Sequence, residues 1–83
     1  MSSLEQVKTI LDTTLGLNGR AQKFDRETAL LGNIYELDSM AVVTVITTIE
    51  EQFGLMVDDD EIDAETFETL GSLVDFVDAK LAG

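Results

Sequence analysis

The chain predicts an all-α fold: a bundle of three main helices plus one short helix, with a long loop between helices 1 and 2. Three observations carry that expectation. Proline is absent, so nothing in the composition breaks a helix from within. Apolar residues recur at spacings of three and four, which is the period of a helix face. Polar caps and glycines bracket the amphipathic runs. At 83 residues the chain should be a single domain over residues 1–83. A domain of this size buries only roughly 60% of its unfolded surface, leaving little room for a walled pocket.

The first helix opens in "SSLEQVKTILDTTLG". Ser3 and Gln6 stand at capping-box spacing, as do Ser2 and Glu5 one residue earlier. Leu4, Val7, Leu11 and Leu15 then form one stripe, and Gly16 is a natural stop. Residues 16–38 connect to the second helix. Loops of that length are uncommon unless packed or functional. Phe24, Leu30, Leu31, Ile34, Tyr35 and Leu37 should pin it to the bundle, with a helical turn after Asp25.

The second helix lies in "DSMAVVTVITTIEEQF", residues 38–53. Every residue from Val42 to Ile49 is β-branched, and propensity alone would make the run a strand. Neither face of such a strand is cleanly polar. At helical spacing the pattern resolves. Val42, Val45, Ile46, Ile49 and Phe53 share one face, and Thr44, Thr47, Thr48 and Glu51 share the other. The helix is expected from about Ser39 to Phe53, capped by Asp38 or Ser39 and ended by Gly54. Further on, "DAETF" reads as one short helical turn capped by Asp63. In the last helix Leu70, Leu73, Val74, Val77 and Leu81 make one stripe, with Thr69 as N-cap and Lys80 in the final turn.

Composition excludes much chemistry. There is no cysteine and no histidine, so there is no disulfide framework, no thiolate metal site and no imidazole base. "LGLNGRAQ" lacks the Lys-Ser/Thr ending of a phosphate-binding loop. The acidic run "DDDEIDAE" fails the calcium-loop pattern: counted from Asp58, position 6 is Asp63 and position 12 is Thr69; counted from Asp59, they are Ala64 and Leu70. No metal site is expected. Seventeen acids against five bases give a net charge of −12. That balance disfavours nucleic acid and anionic membrane, and suits either basic protein patches or plain solubility. Nothing resembles a signal peptide or a membrane span. A soluble, cytoplasmic monomer without membrane insertion is expected.

Ser39 stands out against this background. Serine is favoured as an N-cap, and that is one reading of it. Asp38 caps equally well, which would leave the Ser39 hydroxyl free in the first turn. A phosphate ester there would sit beside unpaired N–H groups and the positive end of the helix dipole. An activated nucleophile is not indicated, because the sequence supplies no base.

"ELDSMAVVTVITTIEEQFGLMVDDDEIDAETFETLGSLVDFVDAKL" resembles the acyl carrier protein family. The likeness covers nearly the whole chain: "DSM" opening the second helix, "EEQFG" closing it, an acidic connector ending in "EI", the short "AETF" turn, and "TLGSLVDFV" in the last helix. The resemblance implies an acyl-carrier-protein-like bundle without catalysis of its own. It implies that Ser39 carries 4′-phosphopantetheine, donated by coenzyme A through a phosphopantetheinyl transferase, with Asp38 as helix cap and recognition residue for that transferase. Acyl groups would ride as thioesters on the arm, so the reactive sulfur is imported. Partners would be acyl-loading, ketosynthase or acyltransferase-type enzymes in fatty acid, polyketide or related biosynthesis.

Some residues depart from the family pattern. Met40 follows the serine where the family usually has Leu, and Glu36 stands where it often has Gly. "GNIYELDS" looks longer than the usual approach. The exposed face of the second helix reads Ala41, Thr44, Thr47, Thr48, with acids only at Glu50 and Glu51. Met40, Val43, Thr44 and Thr47 therefore suggest an apolar docking face, as in polyketide or nonribosomal-type carriers. The chain also looks like the freestanding carriers of exosortase and exopolysaccharide systems. The alternative is an unmodified acidic helical adaptor that uses its charge and the run "DDDEIDAE".

Overall fold

The computed structural model describes residues 3–32, 34 and 37–82, apart from the Asp59 side chain. The expected Ser2–Glu5 cap, the Tyr35 anchor and the Glu36 position lie outside the described residues. Three α-helices form the frame: α1 (Ser3–Leu15), α2 (Ser39–Phe53) and α3 (Leu70–Ala82), with short 3-10 turns at Arg20–Lys23 and Asp59–Glu61. α1 packs against both α2 and α3. The core takes Val7 and Leu11 from α1, Val45 and Ile49 from α2, and Leu70, Leu73, Val74 and Val77 from α3, all fully enclosed.

The β-branched run is helical throughout. Its propensity cost is at most about 0.7 kcal/mol per residue. Burying a Val or Ile side chain returns roughly 1.5–3 kcal/mol, and Val45, Ile46 and Ile49 are all buried. Burial therefore decides. Gly54 ends the helix in the left-handed conformation at φ 68°, which only a residue without Cβ adopts freely. The N–H groups of Gly54 and Leu55 both reach back to the Glu50 carbonyl.

The ends of the other helices need more correction. Ser3 is not a cap on Gln6; it lies inside α1, buried, and its hydroxyl donates to the Asp78 carboxylate of α3. Tertiary pairing has overridden the local motif. Thr69 does cap α3, and reciprocally: Ser72 N–H donates to Thr69 Oγ1 at 3.1 Å, and Thr69 N–H to Ser72 Oγ at 3.0 Å. Leu81, assigned to the inner stripe, is 49% exposed in the last turn of α3. Residues 64–68 form a run of turns in place of a regular short helix. Asp63 does cap that run, accepting the Thr66 N–H at 3.0 Å.

The long connection is ordered by backbone pairing. Leu30 and Leu31 N–H donate to the Glu68 and Phe67 carbonyls, and Leu70 and Gly71 N–H donate to those of Thr28 and Arg26. An isolated antiparallel bridge, Ala29 with Thr69, lies at the centre. Gly71 is required at this crossing: a Cβ there would stand 2.7 Å from the Arg26 carbonyl oxygen. Leu30, Ile34 and Leu37 are buried as expected, but Leu31 is 40% exposed and does not pin the loop. Asp25 starts a hydrogen-bonded turn closed by Thr28 N–H, and the helical segment precedes it, at Arg20–Lys23.

Candidate functional site at the start of α2

Buried anchors deliver the chain to α2. Ile34 and Leu37 are 7% and 6% exposed, and Leu37 N–H donates to the Ile34 carbonyl at 3.1 Å. The three residues that follow, Asp38, Ser39 and Met40, all face solvent. Asp38 has extended backbone and is the N-cap: its Oδ1 accepts the Ala41 N–H at 2.8 Å, and its carbonyl accepts the Val42 N–H at 2.9 Å. Ser39 is the first helical residue. Its hydroxyl has no partner among the described residues, and neither do the Ser39 and Met40 N–H groups. The capping alternative for Ser39 is thus excluded by Asp38.

That arrangement fits a covalent phosphate ester. The hydroxyl is exposed, two backbone donors are unmatched among the described residues, and the helix dipole places partial positive charge there. Among the described residues no carboxylate is hydrogen-bonded to Ser39 Oγ.

The expected docking residues come together on the outward side of α2. Met40 and Val43 are 76% and 63% exposed. Thr44 and Thr47 are exposed too, but their hydroxyls turn inward on the helix, donating to the Met40 and Val43 carbonyls at 3.1 and 2.9 Å. Thr48 does the same to Thr44. The hydroxyl protons are committed, so the strip offers side-chain methyl and methylene surface, with no formal charge from Ser39 to Ile49.

Sequence reasoning missed one element of this region. A groove of about 270 Å³ runs beside α2, lined by Val42, Val43, Ile46, Thr47, Glu50, Val57 and Ile62. The available signal was the pair of apolar residues, Val57 and Ile62, bracketing the acids of the connector. A larger cavity of about 410 Å³ lies along the seam of α1 and the later part of α2, lined mainly by threonine and glutamine. It contains no residue of the α2 start.

The acidic connector is engaged in folding contacts. Glu61 pairs with Lys80 of α3 at 2.8 Å and accepts the Asp58 N–H at 2.9 Å. The Lys80 hydrogen bond first, then the Asp58 N–H, hold the Glu61 carboxyl below its ordinary range. Among the described residues no group of three or more acids converges as metal ligands would.

Residues 5–77 match the model of the family described as the phosphopantetheine attachment site. The solution NMR structure of a holo acyl carrier protein from Nitrosomonas europaea is similar over 100% of both chains, at 57% identity and a TM-score of 0.93. Those two likenesses span the helices, the long loop and the connector alike, and they decide against an unmodified adaptor. The chain belongs to the acyl carrier protein family: carriers without catalysis of their own, which hold acyl groups on covalently attached 4′-phosphopantetheine.

Proposed function

We propose that Ser39 is the residue that carries 4′-phosphopantetheine and that the face from Met40 to Thr47 is where partner enzymes dock. One observation carries the first part: the Ser39 hydroxyl is exposed and has no partner among the described residues, while Asp38 does the capping. When attached, the group supplies the thiol for thioester formation, which a chain without cysteine lacks. The chain's own residues do the positioning. Asp38 fixes the first turn and offers a carboxylate for the phosphopantetheinyl transferase to recognise. The Ser39 and Met40 N–H groups, unmatched among the described residues, would stand near a phosphate esterified to Ser39.

Met40 and Val43, one turn apart, give partners an apolar foothold, while Thr44 and Thr47 extend it. The partners would be acyl-loading, ketosynthase or acyltransferase-type enzymes, engaging a single carrier domain over residues 1–83. We place it in the cytoplasm as a monomer; no helix among the described residues is long and apolar enough to cross a membrane.

The test is a mass measurement. Apo protein is incubated with coenzyme A and a promiscuous phosphopantetheinyl transferase. Wild type should gain the mass of one phosphopantetheine, and Ser39→Ala should gain nothing. The Ser39 side chain is exposed and has no hydrogen-bond partner among the described residues, so the variant's stability should lie within about 0.5 kcal/mol of wild type. An unmodified wild type, or a modified Ser39→Ala, would overturn the assignment.

A further inference from the structure

Ser39 is followed directly by a methionine that the core leaves outside. Met40 is 76% exposed in the first turn of α2, and Val43, one turn on, is 63% exposed. The polar groups around them offer a partner little. The Thr44 and Thr47 hydroxyls are committed to the Met40 and Val43 carbonyls at 3.1 and 2.9 Å, and no formal charge stands between Ser39 and Ile49. Recognition on this strip therefore rests on apolar contact, and the Met40 thioether is its longest side chain.

A hydrocarbon side chain in that place would be inert to peroxide, whereas a thioether is not. Its sulfoxide is polar and carries a strong hydrogen-bond acceptor. Pressed into an apolar interface, that acceptor would be left unmet. The chain has no cysteine and three methionines, Met1, Met40 and Met56. With no thiol in the polypeptide, these thioethers are the sulfur that peroxide meets in the apo protein. Met56 is 84% exposed in the connector after α2. Both described methionines are thus open to the same reagent, and one of them stands beside Ser39.

We propose that Met40 is a redox-sensitive docking residue: oxidation of its thioether to the sulfoxide by hydrogen peroxide weakens partner docking beside Ser39, and reduction restores it. This rests on the reading of Ser39 as the attachment residue and of the Met40–Thr47 face as the docking surface. In the forward step the sulfur attacks peroxide. The O–O bond breaks, an S–O bond forms, and the second oxygen leaves as water; sulfur gives up two electrons and peroxide takes them. In the return step a methionine sulfoxide reductase uses a dithiol: the S–O bond breaks, its oxygen leaves as water, and the dithiol becomes a disulfide. The change stays at the surface, since Met40 is not part of the enclosed core.

Apo wild type, Met40→Leu and Met56→Leu are assayed for phosphopantetheine transfer before and after treatment with hydrogen peroxide, which is removed before coenzyme A and the transferase are added. Peptide mass spectrometry locates each added oxygen, and every protein is compared with its own untreated form. In wild type and Met56→Leu, kcat/KM should fall roughly tenfold on oxidation and recover after treatment with methionine sulfoxide reductases of both epimer specificities. Met40→Leu should keep its own untreated value. The thermal midpoint of oxidised wild type should move by no more than about 4 °C, as for a surface substitution. A larger fall would mean lost folding and overturn the proposal, as would an equal loss of transfer in Met40→Leu, a Met40 that stays reduced while Met56 is oxidised, or a loss that the reductases do not reverse. Untreated Met40→Gln separates the readings. If oxidised wild type keeps its rate while Met40→Gln is slowed, the redox proposal falls and the docking face stands. If both keep the wild-type rate, the docking role of Met40 falls with it. Untreated wild type that takes up no phosphopantetheine would remove the carrier reading as well.

Discussion

The Asp38 carboxylate takes the Ala41 N–H, and that one bond relieves Ser39 of the capping role. The two neighbours should therefore separate cleanly under mutation. Asp38→Ala removes an N-cap and should cost about 1 kcal/mol, lowering the thermal midpoint by roughly 4–8 °C. Asp38→Asn keeps an acceptor and should lose much less. Thermal unfolding monitored by circular dichroism checks both; an equal loss in the two variants would mean that charge, and not capping, matters at this position. The pairing of Asp and Ser was visible in the sequence, but which of them capped was not. Both are favoured N-caps, and only the extended backbone at Asp38 and its bond to Ala41 settle the choice.

At the scale of elements, α2 has one buried face and one exposed face. Val43→Glu places a charge on the exposed strip, where the fold scarcely notices: stability should change by about 0.5 kcal/mol or less. Transfer by a phosphopantetheinyl transferase should suffer more, with kcat/KM falling roughly tenfold as an apolar contact is lost. A large fall in melting temperature would instead place Val43 in the core. The connector gives a prediction of its own. Glu61 is held below its ordinary range by Lys80 and the Asp58 N–H. A depressed folded-state pKa contributes stability that is complete above the unfolded value of about 4.3 and disappears as pH falls through the folded value. Glu61→Gln should therefore be less stable than wild type near neutrality, and the gap should close as pH drops below that range. Denaturant midpoints measured stepwise from about pH 7 to about pH 3 would show it; a gap independent of pH would mean that the Lys80 contact acts through geometry and not through charge.

Across the whole molecule, a net charge of −12 is confined to a body of 31 × 28 × 21 Å. At about 0.01 M salt the screening length is roughly 30 Å, so each charge senses all the others; at about 0.15 M it is roughly 8 Å and only neighbours interact. Raising salt between those values should raise the melting temperature, because it relieves net repulsion. A falling midpoint would mean that the Arg26–Asp75 and Lys80–Glu61 pairs outweigh that repulsion. The sequence by itself determined the three helices, since burying one apolar stripe at a period of 3.6 outweighs the β-branched preference of α2. It also pointed to Ser39 as the candidate serine, through the Asp-Ser pair at the start of the second helix and the family resemblance of the residues around it. Only the tertiary structure decided which loop side chains are inside, that Ser3 belongs to Asp78, and that Gly71 must lack a side chain beside Arg26. It alone joined Val57 and Ile62 to α2 in one groove. Local periodicity encodes which face of an element is buried, whereas long-range backbone pairing and carboxylate ties choose what that face meets.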